Sequence, residues 1–516
     1  MNLRLVARNL GQFIFILSVC MAVCSLISLV WVYRGEADEV WAFQALLGCS
    51  LVGAIASLLT ILLTRSAPRY MHRREAVLLV SLSWVLGAFF AAFPYWVWSL
   101  IGDPQHLEPS LGSFTACFFE AMSGLTTTGA TILDDIEAMP HGLLLWRATT
   151  QWLGGVGIVV LFVAVLPSLG VGGKRLFSAE STGPAPEGLR PHIRQTARIL
   201  WLTYLLLSVA AFLTYLLGGM SPFEAVAQAM TTVSTAGFST RNSSFASFDS
   251  AFLEYAACVF MFLGAISFGL YFRAIRKGWR ALLHDTELKA FFLLMLFCVL
   301  VTTAALMGRD EPIRMVGFPE VPDQQPTFLN SLRLATFTVV SLQTTTGYCT
   351  ADFDFFPELA LCLLMMLAFI GGCAGSTAGG MKMVRALIGL KVLQSTIERE
   401  HRPSVVRPLQ IGKTTIDSGV KIEVLSVLLA SFFFLALGTM LVQLIEGPSL
   451  DLTTALSETF SCLFNLGPGV ASAGASETYS WMKPGTKWVL SSMMLLGRLE
   501  FFTVLVLFTR RYWKAE

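Results

Sequence analysis

The sequence predicts an all-α polytopic membrane protein in which four copies of one helix–loop–helix unit surround a single axis. Three observations support this prediction: the chain is strongly apolar, it contains ten long stretches suited to cross a bilayer, and four glycine-centred turns recur along it. Of its 516 residues, 55% are hydrophobic and 14% are charged, with a mean hydropathy of +0.66. Since a soluble domain is about 25% charged, water cannot be the main solvent of this chain.

Ten stretches approach or exceed the roughly 20 residues that a membrane-spanning helix needs. Nine of them contain no charged residue, and the tenth is interrupted only by Arg498 and Glu500. The stretches are 9–33, 40–64, 76–102, 148–173, 199–223, 255–272, 290–308, 359–381, 424–445 and 488–508. An even number of spans places both termini on the same side of the membrane.

The distribution of charge predicts which side that is. The segments on the side of the termini hold 27 of the 36 Lys and Arg residues, whereas the opposite side holds 23 of the 34 Asp and Glu residues. Basic residues concentrate in cytoplasmic loops, so both termini are expected in the cytoplasm. The net charge of +2 gives no sign of a nucleic-acid partner, and the lipid bilayer is the expected surrounding. The first apolar stretch is too long for a secretory signal and is interpreted as a retained helix.

Cysteine and histidine give no sign of a resident metal or cofactor. The ten cysteines form no CxxC pair, and the six histidines are dispersed along the chain. The sequence therefore predicts neither a disulfide framework nor a metal site, and no bound cofactor is expected.

Four short segments between the spans share one design, an apolar stretch of about 12 residues followed by a turn centred on glycine. A helix of that length rises about 18 Å, which takes it halfway into a bilayer. The turn glycines are Gly129, Gly237, Gly347 and Gly467, separated by 108, 110 and 120 residues. Nine positions before each glycine stands a polar residue: Glu120, Gln228, Thr338 and Glu458. A single turn of this kind is more often an ordinary polar loop, but four copies at a regular period indicate internal duplication.

The duplication divides the chain into five parts. The predicted parts are an N-terminal hairpin (1–70), repeat 1 (71–180), repeat 2 (190–282), repeat 3 with a broken second helix (286–400) and repeat 4 (415–516). Non-helical backbone survives at membrane depth only where it lines a polar cavity. Four such loops around one axis would present rings of carbonyl oxygens that replace the hydration shell of a large, weakly hydrated cation. Helix C-termini aimed at the same point favour a cation and repel an anion.

Four segments give the chain a specific resemblance to a known family. They are SGLTTTGAT at 123–131, TTVSTAGFST at 231–240, FIGGCAGSTAGGMKMVR at 369–385 and MLLGRLEFFTVLVLF at 494–508. The sequence resembles the Trk/Ktr/HKT superfamily of K⁺ transporters, and most closely its bacterial Trk-type uptake subunits. The resemblance implies four K⁺-channel-like helix–pore loop–helix repeats around one pseudo-fourfold pore. It also implies K⁺ uptake across the bacterial inner membrane, with K⁺ as the transported ion.

The resemblance assigns the selectivity filter to each turn glycine and the two residues before it, whose carbonyl oxygens would bind K⁺. These residues are Thr127, Thr128, Gly129, Thr235, Ala236, Gly237, Thr345, Thr346, Gly347, Asn465, Leu466 and Gly467. Glycine in all four repeats suggests a preference for K⁺, whereas the Asn-Leu pair departs from the Thr-rich pattern. A Na⁺-permeable or Na⁺-selective member of the superfamily therefore stays open as an alternative.

A cluster of small residues in the second helix of repeat 3 is expected to break that helix at mid-membrane. The resemblance implies a gating loop there, and a glycine face that packs closely against another helix is the alternative. Arg498 is the single basic residue within a predicted span, where it requires a partner or water. The resemblance places it beneath the filter as a barrier to cations, and a packing role is the alternative. The predicted gate residues are Gly371, Gly372, Gly375, Ser376, Thr377, Gly379, Gly380 and Arg498.

The resemblance also implies partners, namely a second copy of the chain in a homodimer and a ring of cytosolic nucleotide-binding regulatory subunits. The basic loops 174–198 and 382–422 are either docking faces for such a ring or simply topogenic charge. Asp134, Asp135, Asp352 and Asp354 follow the turns on the outer side and either attract cations or belong to solvated loops. The sequence contains no paired carboxylates, nucleophile–base pair or HExxH motif, so an enzyme is not expected.

Overall fold

The computed structural model describes residues 1–67, 71–103, 108–164, 189–317, 319, 321–402, 409–412 and 414–514. Within these ranges the chain is mostly helical. The predicted docking loop 174–198 lies outside the described residues up to position 188, as does the end of predicted repeat 1 beyond residue 164. A two-stranded antiparallel ribbon joins β1 (Gln410–Ile411) to β2 (Thr414–Thr415).

Two long helices form the N-terminal hairpin, α1 (Leu3–Tyr33) and α2 (Ala37–Leu63). They pack along each other, and large apolar side chains such as Leu51, Val52 and Ile55 stay exposed on α2. An exposed apolar surface of this extent is what a lipid-facing helix presents.

Four units of one design follow the hairpin. Each consists of a long first helix, a short helix that enters the protein without crossing it, and a second helix. Unit 1 contains α3 (Arg73–Ile101), α4 (Phe114–Leu125) and α5 (His141–Ala164). Unit 2 contains α6 (Leu189–Leu217), α7 (Pro222–Val233), α8 (Ala251–Ala265) and α9 (Phe268–Lys277), and the short α10 (Arg280–Leu283) leads out of it.

Units 3 and 4 repeat the pattern with further breaks in their second helices. Unit 3 contains α11 (Thr286–Met307), α12 (Phe328–Gln343), α13 (Glu358–Ile370) and α14 (Met383–His401). Unit 4 contains α15 (Ser418–Glu446), α16 (Leu452–Phe464), α17 (Pro484–Arg498), α18 (Phe502–Leu505) and the terminal α19 (Arg510–Trp513). Single 3₁₀ turns lie at Pro109–Leu111, Ser244–Phe248, Phe353–Phe355, Ala471–Ala473 and Val506–Phe508. This architecture confirms the predicted fold class.

The long apolar helices agree with a multi-pass membrane protein. Six helices among the described residues are long and apolar enough to span a bilayer, and two bent helix pairs raise the number to eight. The predicted stretch 148–173 falls on α5 and runs past the described residues. The predicted stretch 359–381 begins with the 13-residue α13 and continues into a non-helical segment.

The four short helices α4, α7, α12 and α16, here called pore helices, begin with the same local signal. Ser113, Ser221, Thr327 and Asp451 precede them, and each side-chain oxygen accepts a hydrogen bond from the backbone N–H three residues later, at 2.9–3.4 Å. Such N-caps satisfy backbone donors that a buried helix start would otherwise leave unpaired. In the sequence, these capping residues stand 16 to 20 residues before each turn glycine. They were not predicted, although this spacing could have identified them.

Within the described residues, three of the four second helices are broken. In unit 3 the helix stops at Ile370 and resumes at Met383, which confirms the predicted break. The helices of units 2 and 4 also bend, by 84° after Ala265 and by 108° after Arg498. The predicted span 488–508 therefore contains a sharp bend, where Glu500 and Phe501 both adopt positive φ.

Candidate functional site

The turns that follow the four pore helices share one backbone conformation. The residue two before each turn glycine has a positive φ of 49–54°, although none of the four is glycine: Thr127, Thr235, Thr345 and Asn465. The turn glycines themselves have φ between 81° and 101°, a region that side chains strongly disfavour. Each intervening residue donates its N–H to a serine or threonine carbonyl five residues earlier, at 2.8–3.0 Å.

The four turns meet in a closed ring. A Cβ atom on Gly129 would lie 2.3 Å from the carbonyl oxygen of Ala236, in the next unit. The same relationship joins Gly237 to Thr346 (2.0 Å), Gly347 to Leu466 (2.3 Å) and Gly467 back to Thr128 (2.8 Å). Each glycine thus packs on the carbonyl before the next glycine, and the fourth unit closes on the first. All twelve predicted filter residues lie in this ring.

Side chains behind the ring bind its backbone in different ways from unit to unit. Gln151 on α5 donates its amide to the carbonyl of Ala236 at 2.8 Å and accepts from the N–H of Phe238 at 3.1 Å. Tyr479 and Ser461 both donate to the carbonyl of Gly467, at 3.0 and 2.7 Å. The carbonyl of Ala236 therefore already accepts a hydrogen bond from a side chain. The sequence predicts this carbonyl only as an ion ligand, and it does not predict the bond from Gln151.

The polar residues nine positions before the turn glycines lie on the buried faces of the pore helices. Glu120 forms an ion pair with Arg147 at 2.6 Å, and both side chains are buried. Arg147 also donates to the carbonyl of Ser239 at 2.9 Å, and Gln228 donates to the hydroxyl of the same serine at 2.9 Å. This network ties units 1 and 2 together just beyond their turns.

Arg147 and Gln151 were not predicted as site residues. Both stand at the start of an apolar stretch, where the sequence does not distinguish an exposed polar residue from a buried one. Glu458, the matching residue of unit 4, is fully buried and neither of its carboxylate oxygens has a hydrogen-bond partner among the described residues. Thr338 of unit 3 is also buried. The equivalent positions of the four units therefore hold three kinds of side chain: two glutamates, a glutamine and a threonine.

The break in unit 3 forms an intramembrane loop, residues 371–382, that lies directly against the ring. Gly379 donates its N–H to the hydroxyl of Thr345 at 2.6 Å, and Gly380 donates to the carbonyl of Phe464 at 2.9 Å. The hydroxyl of Thr377 lies 3.1 Å from that of Thr235. The loop thus contacts residues of three of the four units beside the ring.

The predicted small residues give this loop its shape. Gly371, Gly375 and Gly380 have φ of 70–72°, and the carbonyl of Gly372 accepts a bond from Met383 at 2.9 Å. The Ser376 hydroxyl donates to the carbonyl of Cys373 at 2.7 Å. A Cβ atom on Gly379 would lie 2.4 Å from the carbonyl oxygen of Phe464. The helix break and the close packing of glycine, which were considered as alternatives, therefore occur together.

Arg498 ends helix α17 and joins this loop to unit 1. Its Nη1 donates to the carbonyl of Thr377 at 2.9 Å, and its Nη2 donates to the carbonyl of Gly154 at 3.4 Å. The side chain is 3% exposed, and its Nε has no partner among the described residues. The guanidinium therefore holds the loop by backbone carbonyls and adds a positive charge beside it.

Two carboxylates support the loop and the start of the helix that follows it. Glu287, at the start of α11, accepts from the N–H of Ala374 at 2.8 Å and from that of Val384 at 3.2 Å. Glu500 pairs with Arg385 at 2.5 Å. Neither role was predicted, since both depend on contacts between residues that lie far apart in sequence.

A cavity opens on the predicted outer side of the ring, and all four turn glycines line it together with Asp134. The other outer acids make loop contacts. Asp135 accepts from Asn242 at 2.9 Å, and Asp354 accepts from the N–H of Ala471 at 2.9 Å. Burial and the neighbouring charge of Asp352 raise the pKa of Asp354 to about 6.

The chain is similar to known proteins in both sequence and structure. A family model described as "Cation transport protein" (TrkH) matches residues 64–515. The chain is 37% identical to the Trk system potassium uptake protein TrkH of Halomonas elongata and 34% identical to that of Escherichia coli, over 100% of both chains in each case. The crystal structure of the potassium transporter TrkH from Vibrio parahaemolyticus matches with a TM-score of 0.84 at 29% identity, again over 100% of both chains. These findings confirm the predicted resemblance.

Proposed function

The chain belongs to the TrkH family of cation transport proteins, and we propose that it takes up K⁺ across the bacterial inner membrane. The observation that supports this proposal most directly is the closed ring in which each turn glycine packs on the carbonyl before the next. A ring built from backbone rather than from charged side chains suits an ion that gives up its water readily. In this proposal both termini lie in the cytoplasm, as the basic residues suggest.

The twelve residues of the ring would form the selectivity filter. Main-chain oxygens would bind dehydrated K⁺, and the positive φ values of each turn glycine and of the residue two before it support a backbone whose successive carbonyls face one axis. The hydrogen bond from Gln151 to Ala236 makes the contribution of unit 2 different from the others. The pathway would thus have only approximate fourfold symmetry.

The intramembrane loop would form the gate, with Arg498 as its anchor. The loop would lie across the inner side of the ring, held by hydrogen bonds that involve its backbone and the hydroxyl of Thr377. A cation leaving the filter would meet the positive charge of Arg498. Opening would require the loop and this guanidinium to separate or to move together.

A cytosolic partner would control that movement. The chain would act as a homodimer bound to a ring of nucleotide-binding subunits, and the basic surface of α14, with Arg399 and His401 in its last turn, would offer one docking face. Helix α14 continues directly from the intramembrane loop. A regulator that binds α14 would therefore act on the gate through one rigid element.

Uptake measured in cells that lack other K⁺ transport tests the proposal. Cells that express the protein are expected to grow at limiting K⁺ and to accumulate Rb⁺ in strong preference to Na⁺. Equal accumulation of Na⁺ would favour the second candidate, a Na⁺-permeable member of the family, for which the Asn-Leu pair of unit 4 is the motivating feature. Growth no better than that of empty cells would contradict transport of either ion.

A further inference from the structure

Far from the ring, three side chains that can ligate metals converge at the predicted outer end of the N-terminal hairpin. The Nδ1 atom of His141 lies 3.2 Å from a carboxylate oxygen of Glu36 and 3.2 Å from one of Glu39. One ligand atom from each of the three residues lies within 4.8 Å of the other two. Glu36 and Glu39 flank the start of α2, and His141 opens α5, so the cluster joins the hairpin to unit 1.

The histidine and the inner carboxylate are held in place by their neighbours. The His141 ring stacks on Trp31 with centroids 4.6 Å apart and an angle of 8°, and the ring of Phe223 lies 4.8 Å from His141 at an angle of 72°. Glu39 is 1% exposed and accepts from the Ser28 hydroxyl at 2.6 Å. Ligands that are oriented by such surrounding contacts lose little entropy when a metal binds.

The outer part of the cluster is open to solvent. The side chain of Glu36 is 44% exposed and that of His141 is 36% exposed, so an ion could enter without opening the protein. Metal–ligand distances of about 2.1 Å in a tetrahedral site separate neighbouring ligand atoms by about 3.4 Å. The two observed separations of 3.2 Å are close to that value.

We propose that Glu36, Glu39 and His141 form an external binding site for a divalent transition-metal ion of the Zn²⁺ type. One imidazole nitrogen and two carboxylate oxygens suit such an ion, and three protein ligands leave a fourth position for water. A hard ion such as Mg²⁺ would prefer oxygen ligands only. Bound metal would fasten the hairpin to unit 1 beside the start of pore helix α7, where Phe223 lies.

Metal binding to the purified full-length protein in detergent tests this inference. After removal of metals with a chelator, Zn²⁺ titration by calorimetry is expected to reveal one saturable site per chain. The Cys362→Ser variant serves as the background, because Cys362 is the exposed thiol among the ten cysteines. In that background His141→Asn is expected to abolish the site, and Glu36→Gln is expected to weaken it at least tenfold.

Two features keep the test decisive. Glu36 is largely exposed, so Glu36→Gln should fold even if a change at buried Glu39 does not, and His284→Asn changes an exposed histidine elsewhere as a matched control. Replacing Zn²⁺ by Co²⁺ should give the visible spectrum of a nitrogen- and oxygen-ligated ion, without a sulfur charge-transfer band. Binding that is equal in the parent, His141→Asn and Glu36→Gln proteins would overturn the proposal. So would no saturable binding, which would leave a histidine–glutamate ion pair only.

Discussion

Gly129 lies so close to the carbonyl oxygen of Ala236 that a Cβ atom on the glycine would come within 2.3 Å of it. This distance is far below van der Waals contact, and φ at Gly129 is +86°. Replacing Gly129 by Ser must therefore displace the filter segment of unit 1, unit 2 or both.

We expect Gly129→Ser to lower the preference for Rb⁺ over Na⁺ in paired uptake assays, because the displaced carbonyls no longer fit one ion. The matched control is Gly219→Ser, since Gly219 has a φ of +93° but no atom within 4 Å of the added Cβ. Discrimination that is unchanged in Gly129→Ser would contradict the assignment of the filter.

Arg498 supplies the next prediction, since it contacts both the intramembrane loop and unit 1. Arg498→Ala removes the charge beside the loop and two hydrogen bonds to backbone carbonyls. We expect higher basal Rb⁺ flux in liposomes without any regulator, or a weaker response to the regulator. Arg498→Lys keeps the charge but can form fewer bonds, so it should fall between Ala and parent. Parental flux and control in Arg498→Ala would rule out the proposed role.

Two variants of Glu287 distinguish the effect of its hydrogen-bond acceptor on basal flux from the effect of its charge. Its carboxylate accepts from Ala374, within the intramembrane loop, and from Val384, at the start of α14. Glu287→Gln keeps an acceptor oxygen and is expected to behave nearly like the parent, whereas Glu287→Leu should raise basal flux. An equal rise of basal flux in both variants would show that the charge, which both remove, matters rather than the hydrogen-bond acceptor.

The buried pair of Glu120 and Arg147 predicts a large effect on stability. Removing one partner leaves an unpaired buried charge, which costs about 3–5 kcal/mol. Thermal unfolding of Glu120→Gln in detergent should occur several degrees below that of the parent, and the double variant Glu120→Gln/Arg147→Met should recover part of the loss. As a control, Glu311→Gln disrupts an ion pair whose carboxylate is 82% exposed and should change little. Equal effects in both pairs would contradict this interpretation.

The raised pKa of Asp354, on the predicted outer side, predicts that the stability of the folded protein depends on pH. Its pKa rises from 3.8 to about 6, so the folded protein holds this proton more tightly than the unfolded chain does. The resulting stabilisation is fully present below about pH 4 and is lost as the pH rises through about 6. Asp354→Asn mimics the protonated form and is expected to raise the melting temperature at pH 8 but hardly at pH 5. A change of the same size at both values would contradict this assignment.

Much of this architecture can be predicted from sequence because it is repeated. The spacing of the turn glycines predicts four units, and the run from Gly371 to Gly380 predicts a break, since backbone without a helix needs small residues there. The bend after Arg498 could not be predicted in this way. Glu500 and Phe501 adopt positive φ without being glycine, and contacts with other units, such as Glu500 with Arg385, accompany that conformation.

The residues that support the site could not be predicted either, because their contacts join different units. Gln151 and Arg147 are ordinary polar residues at the edge of an apolar stretch, and only the packing of unit 1 against unit 2 brings them to Ala236 and Ser239. The histidines gave no local motif, although His141 meets two carboxylates that lie about a hundred residues earlier. Sequence periodicity finds what is repeated, whereas contacts between unlike units require the fold.

The position of a bound ion tests the central claim most directly. Crystals grown with Rb⁺ in place of K⁺ allow the ion to be located by its anomalous scattering. The ring predicts a peak on the axis between Gly129, Gly237, Gly347 and Gly467, on the outer side of the intramembrane loop. Rb⁺ bound only at other positions, with none inside the ring, would contradict it.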